Sequence, residues 1–145
     1  MRLVVQRVTH AEVKVDGRTT GKIDKGFLVL LGIHENDTKK EADYLVKKLC
    51  GLRVFEDENG KMNLNIRQVD GELLIISQFT LYANTKDGNR PSFIEAAKPD
   101  YANELYEYFM DKCREEGLKV EKGVFGAHMN ISLVNSGPVT IMLEK

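Results

Sequence analysis

The sequence predicts a single α+β domain over residues 1–145, built mainly of antiparallel or mixed sheet and carrying two main helices. Three observations lead there. Several segments alternate apolar and polar residues, the period of a half-buried strand. Two others repeat apolar residues at helical spacing between capping residues. No repeat, linker or low-complexity tract divides the chain, and at 145 residues it is long enough to bury a real core in one domain.

"RLVVQRV" (Arg2–Val8) and "AEVKVDGRTTGKI" (Ala11–Ile23) alternate and read as strands. Asp16-Gly17 is a favoured hairpin pair, because both residues tolerate the left-handed backbone of a tight turn. Phe27–Leu31 is an unbroken apolar run, as in a central strand buried on both faces. Next, Asn36, Asp37 and Thr38 offer N-caps for a helix that puts Ala42, Leu45, Val46 and Leu49 on one face and stops at Gly51. Asn59-Gly60 marks a turn between two short strands, and "GELLIISQFTL" (Gly71–Leu81) reads as the next strand. A second helix follows Pro99-Asp100, turns Ala102, Leu105, Tyr106 and Phe109 inward, and ends by Gly117. "HMNISLVN" and "VTIMLE" then read as two strands joined by a Gly137-Pro138 turn.

Composition narrows the function. With 42% hydrophobic and 30% charged residues, the chain has the make-up of a soluble globular protein. Twenty-one basic against twenty-two acidic residues give a net charge of −1, so no global field favours nonspecific binding to long nucleic acid. Any RNA contact is therefore local. The N-terminal apolar block, Leu3–Val5, is too short for a signal peptide, and no run approaches the roughly 20 residues of a membrane helix. Cys50 and Cys113 lack metal spacing and read as reduced core thiols. The expectation is a cytoplasmic protein with no membrane attachment.

No familiar catalytic motif stands out. His10, His34 and His128 are scattered without partners at metal-ligand spacing, so neither a metal nor a cofactor is expected. There is no G-x-S-x-G elbow, Walker loop or G-x-G-x-x-G. One feature remains. If Gly71–Leu81 is a strand, Gln78 and Thr80 share the face of Leu74 and Ile76, presenting an amide and a hydroxyl beside the long polar loop "ANTKDGNRPSF". By pattern alone this reads as a solvated strand end, and "NSGPVT" (Asn135–Thr140) as a turn with a trans proline.

Taken together, "SQFTL" (Ser77–Leu81) and "NSGPVT" resemble the paired motifs of the D-aminoacyl-tRNA deacylases. "QRVTHAEVKVDG", "GKMNLNI", "RPSF" and "HMNISLVN" resemble that family in the same order, so the likeness covers nearly the whole chain. Ser136 stands where Asp is as readily expected, a small departure if backbone atoms act there. The resemblance implies a barrel-like sheet and hydrolysis of the ester of D-aminoacyl-tRNA, and of glycine on the wrong tRNA, releasing the amino acid and free tRNA.

It further implies a homodimer with active sites at the subunit interface, in which each subunit's cis Gly137-Pro138 enters the other's pocket and excludes L-amino acids. Arg7 would hold that loop. Backbone N–H groups around Ser77, Gln78, Phe79 and Thr80 would stabilise the oxyanion, while Ala102 and Met129 shape the pocket with Phe79. Thr80, a water and the terminal 2′-hydroxyl of the tRNA all stand as attacking group; a Thr without a nearby base is the weakest. An aminoacyl ester is already activated, so positioning can suffice. Two rivals remain, a non-catalytic binder of D-amino acids or nucleotides and a structural dimerisation domain.

Overall fold

A computed structural model describes residues Met1–Lys145. Eight strands and two helices follow in the order β1 (Arg2–Val15), β2 (Arg18–Ile23), β3 (Gly26–Gly32), α1 (Lys39–Gly51), β4 (Phe55–Glu56), β5 (Met62–Leu64), β6 (Glu72–Ser77), α2 (Pro99–Glu115), β7 (Val120–Lys122) and β8 (Asn130–Glu144). The main sheet runs β2-β1-β3-β6-β7, with β8 also on β1; β4 and β5 form a separate ribbon. β3, β6 and β7 are parallel to one another, whereas every pairing of β1 is antiparallel. The fold is therefore α+β with a mixed sheet.

The hairpin forms where predicted, with Asp16 and Gly17 both left-handed at φ 49° and 75°. β2 then curls over the far edge of the sheet. A Cβ on Gly21 would lie 2.5 Å from the Lys122 carbonyl oxygen of β7, so only glycine permits this approach, and the sheet nearly closes on itself.

Strand alternation divides the core. Phe27, Val29 and Leu31 of β3 and Leu73 and Ile75 of β6 pack under the helices, while Leu28, Leu74 and Ile76 join Val8, Ala11, Val13 and Ile23 on the opposite face. α1 opens with a capping box: the Thr38 hydroxyl accepts from Lys40 N, and Glu41 accepts from Thr38 N at 2.7 Å. Such a cap contributes about 1 kcal/mol. Proline occupies the first turn of α2, where its missing N–H costs nothing. The helices lie side by side and parallel, Tyr101 donating to the Asp37 carbonyl and Tyr108 to the Asp43 carboxylate. Cys50 and Cys113 are buried in the core they share. No helix is long and apolar enough to cross a membrane.

Three elements differ from the sequence reading. The first two predicted strands are one, β1, which bends through bulges opposite β8. The last two are also one. Both halves of β8 pair with β1, Asn135 opposite Val8 and Thr140 opposite Gln6, so residues 136–139 bulge outward instead of reversing the chain. Finally, β6 stops at Ser77, and Phe79–Tyr82 form a 3-10 turn. β3 ends at Gly32, so past Ser77 the chain has no strand left to pair with. The short strand β7 was not foreseen.

Candidate active site

Where β6 ends, three segments enclose a cavity of about 680 Å³. Ile76–Phe79 form one wall. Phe93, Ile94, Ala96–Pro99 and Ala102 form the second, ahead of and within the first turn of α2, and Phe125–Met129 with Ile131 close it from the chain between β7 and β8. The lining is mostly apolar. Phe79, 54% exposed, meets Phe93 edge-on at 5.0 Å between ring centres, and Ile94 is 82% exposed, so the mouth presents bare hydrocarbon to solvent. Lys98 and His128 are the titratable side chains of the lining; it contains no carboxylate and no thiol. Beneath it, burial pushes the Tyr106 phenol up, and its hydroxyl donates to the Ile75 carbonyl at 2.6 Å.

The predicted segment Ser77–Thr80 sits at this wall, in a geometry that strand alternation did not foresee. Gln78 leaves the strand at φ −142° and ψ 82°, its own N–H donating to the Leu31 carbonyl at 2.8 Å. The turn that follows is closed by Leu81 N and Ala83 N, which donate to the Gln78 and Thr80 carbonyls. The first two N–H groups of a helical turn have no acceptor within it, and here those of Phe79 and Thr80 find none elsewhere in the chain. Two amide donors are thus free beside the cavity. The Gln78 side-chain amide donates to the Thr80 hydroxyl, and no His, Asp or Glu side chain contacts that hydroxyl. Nothing here activates Thr80 as a nucleophile.

Arg7, Gly137 and Pro138 lie elsewhere. None of them lines the cavity. The 136–139 bulge leaves β8 opposite Arg7, and the Gly137-Pro138 peptide bond is cis, with both residues exposed. Two side chains brace the bulge. Arg7, buried without a carboxylate partner, donates from Nε to the Ser136 carbonyl at 3.0 Å and from Nη1 to the Val54 carbonyl at 2.6 Å. Asn135 accepts from Val139 N at 3.0 Å and donates to the Thr140 hydroxyl at 2.9 Å. Gly137 has φ 131°, and a Cβ there would stand 2.9 Å from Val139 Cγ2 and 3.1 Å from Arg7 Nη2. Both the conformation and the space call for glycine.

Of the residues singled out from sequence, Ser77, Gln78, Phe79, Ala102 and Met129 therefore line one cavity. Thr80 adjoins it, while Arg7, Gly137 and Pro138 form a separate, braced projection. Sequence reasoning missed Phe93–Pro99 and Phe125–His128 as walls. The only signals were "RPSF" and the Gly126 turn, which carry no period that would join them to β6. It also missed Asn135 as a brace, although that residue stands inside "NSGPVT".

A family model described as D-Tyr-tRNA(Tyr) deacylase matches residues 4–144. A D-aminoacyl-tRNA deacylase of Thermosipho africanus is 56% identical over 144 residues, covering 99% of this chain and 97% of the relative. One from Exiguobacterium sibiricum is 54% identical over 145 residues, with both chains covered completely. Among solved structures, a c-Myc DNA unwinding element binding protein superposes with a TM-score of 0.94 at 42% identity, covering 100% of this chain and 99% of its own. A probable eukaryotic D-amino acid tRNA deacylase superposes at 0.86 with 17% identity, a likeness of fold, over 98% and 97%.

Proposed function

The chain belongs to the D-Tyr-tRNA(Tyr) deacylase family, and from that premise we propose that it hydrolyses the ester joining a D-amino acid to the 3′ end of tRNA. The observation that carries the mechanism is the free pair of N–H groups at Phe79 and Thr80 beside a cavity without an acid–base pair. As the ester carbonyl is attacked, charge grows on its oxygen. Preorganised amide donors stabilise that charge more than the ground state and so lower the barrier. The attacking oxygen is that of a water, which the 2′-hydroxyl of the terminal ribose helps to position; the acyl C–O bond to the ribose breaks, the 3′-oxygen leaves with a proton, and the amino acid departs as its carboxylate. Gln78 and Thr80 orient that water by hydrogen bonds, and Phe79, Ala102 and Met129 shape the seat of the amino acid and the adenosine.

The cavity is completed by a second copy of the chain in a homodimer. Gly137-Pro138 is exposed and takes no part in its own subunit's cavity, and, braced by Arg7, it is available for insertion into the partner subunit's cavity, where its carbonyls receive the substrate ammonium. A D-amino acid then directs its side chain outward, whereas an L-amino acid drives it into the inserted backbone. Glycine, with no side chain to exclude, is accepted as well.

Catalytic amounts of the protein incubated with D-Tyr-tRNA should release D-tyrosine over many turnovers; binding without turnover overturns the enzymatic reading. In the same assay Thr80→Ala should retain activity within roughly tenfold of the parent, because it removes one positioning hydroxyl and leaves both amide donors. A loss of several decades with the fold intact would make Thr80 the nucleophile.

A further inference from the structure

The two helices carry opposite charge. α1 has four lysines against two carboxylates, α2 five carboxylates against two cations. The α2 cations Lys112 and Arg114 pair with Glu115 and Asp111, whereas Lys40, Lys47 and Lys48 of α1 make no ion pair. The carboxylates of α1 are already engaged, Glu41 by Thr38 and Asp43 by the Tyr108 hydroxyl. At about 100° per residue, Lys40, Tyr44, Lys47, Lys48 and Gly51 fall within an arc of roughly 100°, opposite the buried Ala42, Leu45, Val46 and Leu49. Arg53 continues the line past the helix end, and Lys145 stands over the Tyr44 ring at 4.9 Å. The interaction of Lys48 with the helix dipole accounts for one of these charges; Lys40 and Lys47 have no structural partner.

The position of this ridge says what it meets. The start of α1 is tied to α2 through Tyr101 and Asp37, and Lys98, Pro99 and Ala102, at and just before the start of α2, line the cavity. From Lys40, which shares a groove with Tyr101 in the first turn of α2, the ridge runs about 10–12 Å along α1 to Lys47 and Lys48. A polyanion whose end occupies the cavity would be drawn along α1 and repelled by the carboxylates of α2. On a protein of net charge −1, such a ridge is local and directional.

We propose that the Lys40, Lys47 and Lys48 face of α1, with Arg53 beyond, is the surface on which the acceptor stem of the substrate tRNA lies, its phosphates against the lysines. The assignment rests on the deacylase reading. It makes these residues determinants of affinity, with no part in the chemistry.

The test compares the parent protein with Lys47→Glu/Lys48→Glu on two substrates, full-length D-Tyr-tRNA and the D-tyrosyl ester of adenosine, which is too short to reach α1. On tRNA, KM should rise about tenfold or more with kcat within about twofold, and the log–log salt dependence should flatten by nearly one unit per lysine lost. The short ester should be cleaved as by the parent. Lys47→Gln/Lys48→Gln should fall between, and unchanged thermal melting of either variant keeps the comparison clean. An unaltered KM and salt slope on tRNA overturns the proposal, as does a variant that loses binding to phosphatidylserine vesicles while its tRNA kinetics stay unchanged. If the parent cleaves neither substrate, the deacylase reading is what fails. Filter retention of uncharged tRNA across a salt series then still decides the ridge, with identical slopes for parent and variant refuting it.

Discussion

D-Tyr, D-Phe and D-Asp esters of tRNA are expected to be hydrolysed at rates within about tenfold of one another, while L-Tyr-tRNA is spared by roughly three orders of magnitude or more. This outcome follows if backbone atoms make the chiral test. A site that seats the ammonium against the carbonyls of Gly137 and Pro138 and lets the side chain leave the cavity has no group that reads side-chain chemistry. In such a site an L-residue would put its Cβ where the inserted backbone stands, and closely packed atoms would not yield by the distance required. Glycyl-tRNA should be cleaved at a measurable rate. Steady-state hydrolysis of the five esters checks this. D-Tyr cleaved thousands of times faster than D-Asp, with glycine inert, would mean that the side chain is read and the exclusion mechanism is wrong.

Arg7→Ala is expected to lower kcat/KM on D-Tyr-tRNA by about 100-fold, the order of loss that follows when a positioning group shifts by an ångström. Arg7 is buried and holds two carbonyls, those of Ser136 and Val54, so its removal leaves both without their charged donor. Each such bond contributes about 1.5–3 kcal/mol, and thermal melting should fall accordingly. Arg7→Lys separates the two effects. It restores a cation but not the fork that reaches two acceptors at once, so it should recover part of the stability and little of the activity. Full activity in a stable Arg7→Ala variant would mean that the 136–139 bulge holds its shape unaided.

Both outcomes depend on a feature that the sequence carried only through its family resemblance. "NSGPVT" read by itself is a turn between two strands. In the structure the same residues are a bulge on one strand, because both flanks pair with β1, and Asn135 and Arg7 close its base. Likewise, Gln78 and Thr80 were placed together by an alternation that the chain abandons at Ser77. They meet through a side-chain hydrogen bond on a 3-10 turn instead.

The features legible from residues alone are local: the Asp16-Gly17 hairpin, the doubly buried β3, the Thr38 cap of α1, and the inward faces of α1 and α2. Each follows from a period or a dihedral preference that a few neighbouring residues carry. The family was also legible, since its motifs recur in order along the whole chain. Three arrangements belong to the folded chain alone: β2 curls onto β7, Phe93–Pro99 and Phe125–Met129 meet at the end of β6, and Gly137-Pro138 stands exposed outside the cavity. These depend on which distant strands run out of partners and which faces must be covered. Burial and hydrogen-bond satisfaction settle such matters over the whole chain at once, and no short window of sequence contains them.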